Sequence, residues 1–93
     1  MNYQYPIEDT WTKHEIIDVI NFLSLVEQAH ESNVSRIELL TAYRKFKEIV
    51  PSIGEERIYF SEFEEASGYS CYQTMKKVKE EKSEQITMKS RNV

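Results

Sequence analysis

The sequence predicts an all-α fold: a compact four-helix array or bundle, with an extended N-terminal arm over residues 1–11 and a mobile C-terminal tail over residues 83–93. Three observations carry this. The same helix-start spacing occurs four times, at Thr12-x-x-Glu15, Ser35-x-x-Glu38, Ser52-x-x-Glu55 and Ser70-x-x-Gln73. In each, a cap hydroxyl and a side chain three residues on are spaced to satisfy each other's free backbone amides. Only two glycines and two prolines occur in 93 residues, too few for a turn-rich sandwich or barrel. Between the caps, apolar residues recur at three- and four-residue intervals, the period of a helix with one buried face.

The first helix is expected over Lys13–Glu31 and should be central. Ile16, Val19, Ile20, Leu23 and Val26 form its stripe, and Phe22, Leu25 and Ala29 widen it. Trp11 and Val34 precede the first two caps as hydrophobic staples toward Ile16 and Leu39. The second helix, over 36–50, turns Leu39, Tyr43, Phe46 and Val50 inward with Leu40, Ala42 and Ile49 beside them, and Pro51 stops it. The third, over Ile53–Ser67, places Tyr59, Phe60, Phe63 and Ala66 on one side and acids on the rest, with Gly68 ending it in a left-handed conformation. The fourth runs over 71–82 and carries Tyr72, Met75 and Val78 among Lys76, Lys77 and Lys79. Beyond it, "SEQITMKSRNV" shows no helical period. In the arm, Tyr3, Tyr5 and Pro6 are placed to lie on the bundle.

The run "TWTKHEIIDVINFLSLVEQAHE", the segment "LLTAYRKFKEIVPS" and above all "FEEASGYSCYQTMKKVK" resemble the small YktA-like family of uncharacterised proteins from Gram-positive bacilli. The resemblance spans nearly the whole chain. It implies a compact, all-helical, cytoplasmic domain, and it carries no activity, ligand or functional residue with it.

Length fixes a single domain, 1–93, with a small core: a chain this short hides little more than ~60% of its unfolded surface. The lone cysteine, Cys71, closes no intrachain disulfide, and no secretory signal pattern opens the chain, so a reducing cytoplasm is expected. The longest apolar segment, broken by Asp18, Asn21 and Ser24, falls short of the ~20 residues a spanning helix needs, and no membrane role is expected.

The net charge of −4 is unevenly distributed. Residues 1–32 hold Glu8, Asp9, Glu15, Asp18, Glu27 and Glu31 against Lys13 alone, and 52–68 hold Glu55, Glu56, Glu62, Glu64 and Glu65 against Arg57. Residues 33–51 and 69–93 are basic. Complementary helix faces, a patch for an outside partner and plain solvated surface all fit this pattern.

The chemical candidates are weak. His14-Glu15-x-x-Asp18 is one letter from the H-E-x-x-H pattern of zinc peptidases, but the second histidine is missing and Glu15 already serves the Thr12 cap. On one helix His30 lies about 24 Å further on, out of reach of a shared metal. No metal or cofactor is expected. Cys71 follows a helix cap, a setting that can lower a thiol pKa, but no base is placed beside it by the sequence. A small, half-buried residue between Tyr69 and Tyr72 is the plainer account, and enzymatic activity is not expected. The function that fits is a non-enzymatic protein-interaction or regulatory module. Its contact surface would combine Tyr69, Tyr72, Lys76 and Lys77 with surplus apolar residues of the first helix, and its partner would be another protein or a second copy in a homodimer. The alternative is nucleic-acid binding through basic residues of the second and fourth helices, which the net negative charge disfavours.

Overall fold

The computed structural model describes residues 4–89. It contains helices α1 (Lys13–Glu31), α2 (Arg36–Ile49), α3 (Ile53–Ser67) and α4 (Cys71–Glu80), with two short strands, β1 (Val34–Ser35) and β2 (Gln85–Ile86). Tyr3 of the expected arm lies outside the described residues.

All four helices begin where the caps predict. The hydroxyls of Thr12, Ser35, Ser52 and Ser70 accept hydrogen bonds from the backbone amides of Glu15, Glu38, Glu55 and Gln73. Among these, only Thr12 completes the reciprocal box, its own amide donating to Glu15 Oε1 at 2.8 Å. Gly68 ends α3 with φ +82, the left-handed conformation that glycine adopts without steric cost. The second helix stops at Ile49, one residue before the expected end, because Val50 precedes Pro51 and leaves the helical region at φ −125, ψ 75.

The core is a slab of aromatic rings between α1, α2 and α3. Phe22 stacks on Phe46 at 5.2 Å, Phe46 on Phe60 at 5.6 Å, and Phe22 meets Tyr43 and Phe60 at 5.6 and 6.1 Å. Such pairs contribute about 0.5–1.5 kcal/mol each beyond the area they bury. On α1 the buried residues are Val19, Phe22, Leu23, Leu25, Val26 and Ala29, while Ile16 and Ile20 are half-buried. Val19, Leu23 and Val26 of the expected stripe are buried, and the buried face is rotated from Ile16 and Ile20 toward Phe22, Leu25 and Ala29, the residues expected to widen it. On α3, Phe63 is fully buried but Ala66, expected beside it, is exposed. Phe63 meets the arm: Tyr5 stacks on it at 6.1 Å and donates its hydroxyl to Glu27 Oε1 at 2.7 Å. Trp11 packs against Tyr59 at 5.3 Å.

The expected tail differs most. Its described part, residues 83–89, folds back onto the bundle. Ile86 is 0% exposed and pairs antiparallel with Val34, which adds a small ladder to an otherwise helical fold. Met88 N–H donates to the Ala29 carbonyl at 2.8 Å, the Thr87 hydroxyl to the Ser32 carbonyl, and Lys77 Nζ to the Thr87 carbonyl. Residues 90–93 of that expectation lie outside the described residues. Arg36 adds a clasp, its Nε donating to the carbonyls of Val78 and Glu81 at 3.0 and 2.9 Å and so satisfying the free end of α4.

Candidate functional site

The turn between α3 and α4 is fixed by its own hydrogen bonds. Ser67 Oγ donates to the Phe63 carbonyl at 2.7 Å and accepts from Tyr69 N–H at 3.1 Å, while Gly68 reverses the chain. Cys71, Thr74, Met75 and Val78 then point into the core. Helical geometry leaves Tyr72, Lys76 and Lys79 on the outer side of α4, at spacings of four and three. On α3 the matching row is Ile53, Arg57, Phe60 and Glu64, exposed except for Phe60, whose ring also packs on the core. Two shallow recesses between these rows share Glu56, Phe60 and Tyr72. One, of about 210 Å³, is walled by Tyr43, Met75, Lys76 and Lys79; the other, of about 330 Å³, by Ile53, Arg57, Ser61 and Glu64. Together they make one groove. Tyr72 and Ile53 are 65% and 64% exposed, among the most exposed large apolar side chains described.

The inner wall is electrostatically closed. Glu56 Oε1 accepts from Lys47 Nζ at 2.9 Å and from the Tyr43 hydroxyl at 3.0 Å. Burial, then the hydrogen bond and charge of Glu56, push the Tyr43 phenol up to about 12, so it stays a donor at neutral pH. The Lys47–Glu56 pair joins basic α2 to acidic α3, as complementary helix faces would. The outer rim is different: Lys76, Lys79 and Arg57 make no ion pair with a described residue.

The four residues singled out from sequence separate. Tyr72 and Lys76 share the groove. Tyr69 is turned toward α1, its ring stacked on His30 at 4.7 Å and its hydroxyl donated to Glu31 Oε2 at 2.9 Å. Lys77 is held by the Thr87 carbonyl and by Glu81 at 3.5 Å. Both thus make contacts away from the groove that Tyr72 and Lys76 line. Ile53, Arg57 and Lys79 were missed as site residues, and Phe60, expected in the core, both packs there and lines the groove; the signal was an exposed i, i+4 pair on α3 continuing to Phe60, with a partner row on α4.

Neither Cys71 nor either histidine lines the groove. Cys71 is 1% exposed, and burial, reinforced by Glu64 and Glu56, pushes its thiol up, opposite to the effect expected of a helix start. His30 Nε2 lies 3.0 Å from Thr74 Oγ1. The Thr74 hydroxyl proton goes to the Ser70 carbonyl at 2.7 Å, which leaves the imidazole as the donor. Burial lowers the His30 pKa, against smaller raising contributions from Ser70 and Glu64. His14 is exposed beside the Thr12–Glu15 box, and no cluster of three or more His, Cys, Asp or Glu suited to a metal occurs among the described residues. Among them, too, no helix is long and apolar enough to cross a membrane.

Known proteins share this arrangement of sequence almost end to end. Residues 2–87 match the model of an uncharacterised protein family, UPF0223. A UPF0223 protein of Oceanobacillus iheyensis is 53% identical over 88 residues, covering 95% of this chain and all of the relative. UPF0223 protein YktA of Bacillus subtilis is 50% identical over the same span and coverage. A UPF0223 protein of Lactiplantibacillus plantarum is 47% identical over 79 residues, or 85% of this chain and 81% of the relative. The YktA-like resemblance read from the three sequence segments is thus a family relationship, and the chain belongs to the UPF0223 family.

Proposed function

We propose that the chain is a non-enzymatic protein-interaction module that docks a partner protein in the groove between α3 and α4. One observation carries this: Tyr72 and Ile53 stand exposed in the recess that Phe60 also lines, with Lys76, Lys79 and Arg57, which make no ion pair with a described residue, around it. An aromatic side chain beside cations, over an apolar floor, is the composition of interface anchors.

The test is a photo-crosslinking amino acid introduced at Tyr72, with Ile37 on the opposite side as the control position. In bacterial cells the Tyr72 probe is expected to form discrete protein adducts that weaken when Lys76→Glu is added. Adducts of equal number and intensity from both positions would refute a groove-specific partner.

Nucleic acid is the second reading, favoured by the same unpaired cations. The cations do not form one track, however. Lys45 lines a separate recess with Ile37 and Asn21, Lys47 is consumed by Glu56, and Lys77 by Thr87 and Glu81. Expected affinity for random RNA or duplex DNA is therefore ~10⁻⁴ M or weaker at about 150 mM salt. Fluorescence anisotropy measures it, and a submicromolar constant abolished by Lys76→Ala with Lys79→Ala would put this reading first.

A further inference from the structure

We infer that the occupant of the α3–α4 groove is an acidic amphipathic helix of a partner protein; this rests on the groove being a docking surface and names what it docks. Length supports a helix. From Ile53 to Glu64 the α3 row extends about 16 Å, three helical turns, and Tyr72 to Lys79 on α4 runs about 10 Å alongside it. The two rows share Phe60 and Tyr72 across a strip in which Glu56 is already neutralised, a surface that suits the apolar stripe of a third helix.

Charge selects its character. Although the chain carries −4 overall, the rim of this groove holds Lys76 and Lys79 on one side and Arg57 on the other, with Glu64 as the opposing charge at one end. Glu56, at the floor, is already neutralised by Lys47. The local field is therefore positive, and the segment that complements it carries acids flanking its apolar stripe. Tyr72 and Phe60 receive the stripe; Lys76, Lys79 and Arg57 receive the acids.

A second copy of the chain fits less well. In a two-fold contact through this face only Glu64 of the rim can pair with the facing cations, so at least two of Lys76, Lys79 and Arg57 on each copy meet like charge or none, while two chains of −4 approach each other. Nucleic acid would use the cations and stack a base on Tyr72, but it would leave the exposed Ile53 unused.

The experiment is fluorescence anisotropy on the full chain at low salt, with labelled synthetic peptides of about 18 residues, five helical turns. One has leucines at three- and four-residue spacing with glutamates elsewhere. The second has the same composition scrambled so that the leucines share no face, the third replaces glutamate by lysine, and a single-stranded RNA is the fourth ligand. The first peptide should bind saturably. Reversing both Lys76 and Lys79 to Glu, or Tyr72→Ala, should weaken it about tenfold or more. Reversing Arg44 and Lys45 on α2 should change it less than about twofold, since they lie elsewhere. All these side chains except Tyr72 are charged surface groups, and circular dichroism of each variant establishes that it folds. Equal binding of the scrambled or lysine peptide, tighter binding of RNA, equal sensitivity to the α2 reversal, or no binding would each overturn the inference. If Tyr72 crosslinks a partner in cells while the acidic peptide fails, the docking surface stands and its acidic occupant falls. If both fail, both fall.

Discussion

Ile86→Ala is expected to unfold a large part of the population under mild denaturation, although the residue lies in a stretch without helical period near the chain's end. Ile86 is 0% exposed and sits on Val34, itself buried, in the gap where α1 gives way to α2. Truncating a buried isoleucine removes its transfer free energy and leaves a cavity, together about 2–5 kcal/mol. A chain of this length has about 5–14 kcal/mol of total stability, so the loss is a substantial fraction. It also loosens a closure that Met88, Thr87 and Lys77 hold with three further hydrogen bonds. Urea melts followed by circular dichroism measure the effect, with Ile37→Ala as the control. Ile37 is 67% exposed and its truncation should cost under about 0.5 kcal/mol. Equal midpoints for the two variants would show that the strand pair contributes nothing to the fold.

Thr12→Ala should cost about 0.5–2 kcal/mol, because it leaves the Glu15 amide without its acceptor and breaks the one complete box; a denaturant midpoint equal to wild type refutes it. His30 gives the fold a pH dependence. Its folded pKa is lowered by burial, so as pH falls through about 6.5 the unfolded chain takes up a proton that the folded chain does not, and stability declines. Thermal melts between pH 7.5 and 5 should show this decline, and His30→Gln should flatten it. Cys71 should react with a thiol reagent only as fast as the protein opens, slowly under native conditions and immediately in denaturant; fast native labelling would contradict its burial.

The helix starts were legible because capping is local chemistry. A hydroxyl and the amide three residues on are fixed by sequence spacing alone, and at Thr12, Ser35, Ser52 and Ser70 the backbone follows. The left-handed Gly68 was legible for the same reason. What sequence could not give was set by contacts distant along the chain. "SEQITMKSRNV" looked unstructured because a two-residue strand has no period of its own; Ile86 is ordered by Val34, fifty-two positions away. The rotation of the α1 stripe toward Phe22, Leu25 and Ala29 was decided by where Phe46 and Phe60 stand. At the candidate site, Tyr72 and Lys76 were visible as an aromatic beside a cation, but Tyr69 and Lys77 carry the same residue types and are consumed by Glu31, His30 and Thr87. Composition cannot separate them; the direction each side chain leaves its helix does.

That direction explains how an acidic chain keeps a basic rim. At 100° per residue, Tyr72, Lys76 and Lys79 fall within about 60° of one another around α4, whereas Lys77 departs by about 100° from Lys76. The helix thus divides its lysines between two tasks. Lys77 faces the returning strand and closes the fold onto Thr87 and Glu81. Lys76 and Lys79 face outward beside Tyr72, and the carboxylate that lines their recess, Glu56, is already taken by Lys47 and Tyr43. Had Glu56 been free to pair with one of them, the positive rim would have been weaker by one charge. The internal pair between α2 and α3 is therefore what leaves the groove's cations available, and the same contact that stabilises the bundle sets the charge of the surface it presents.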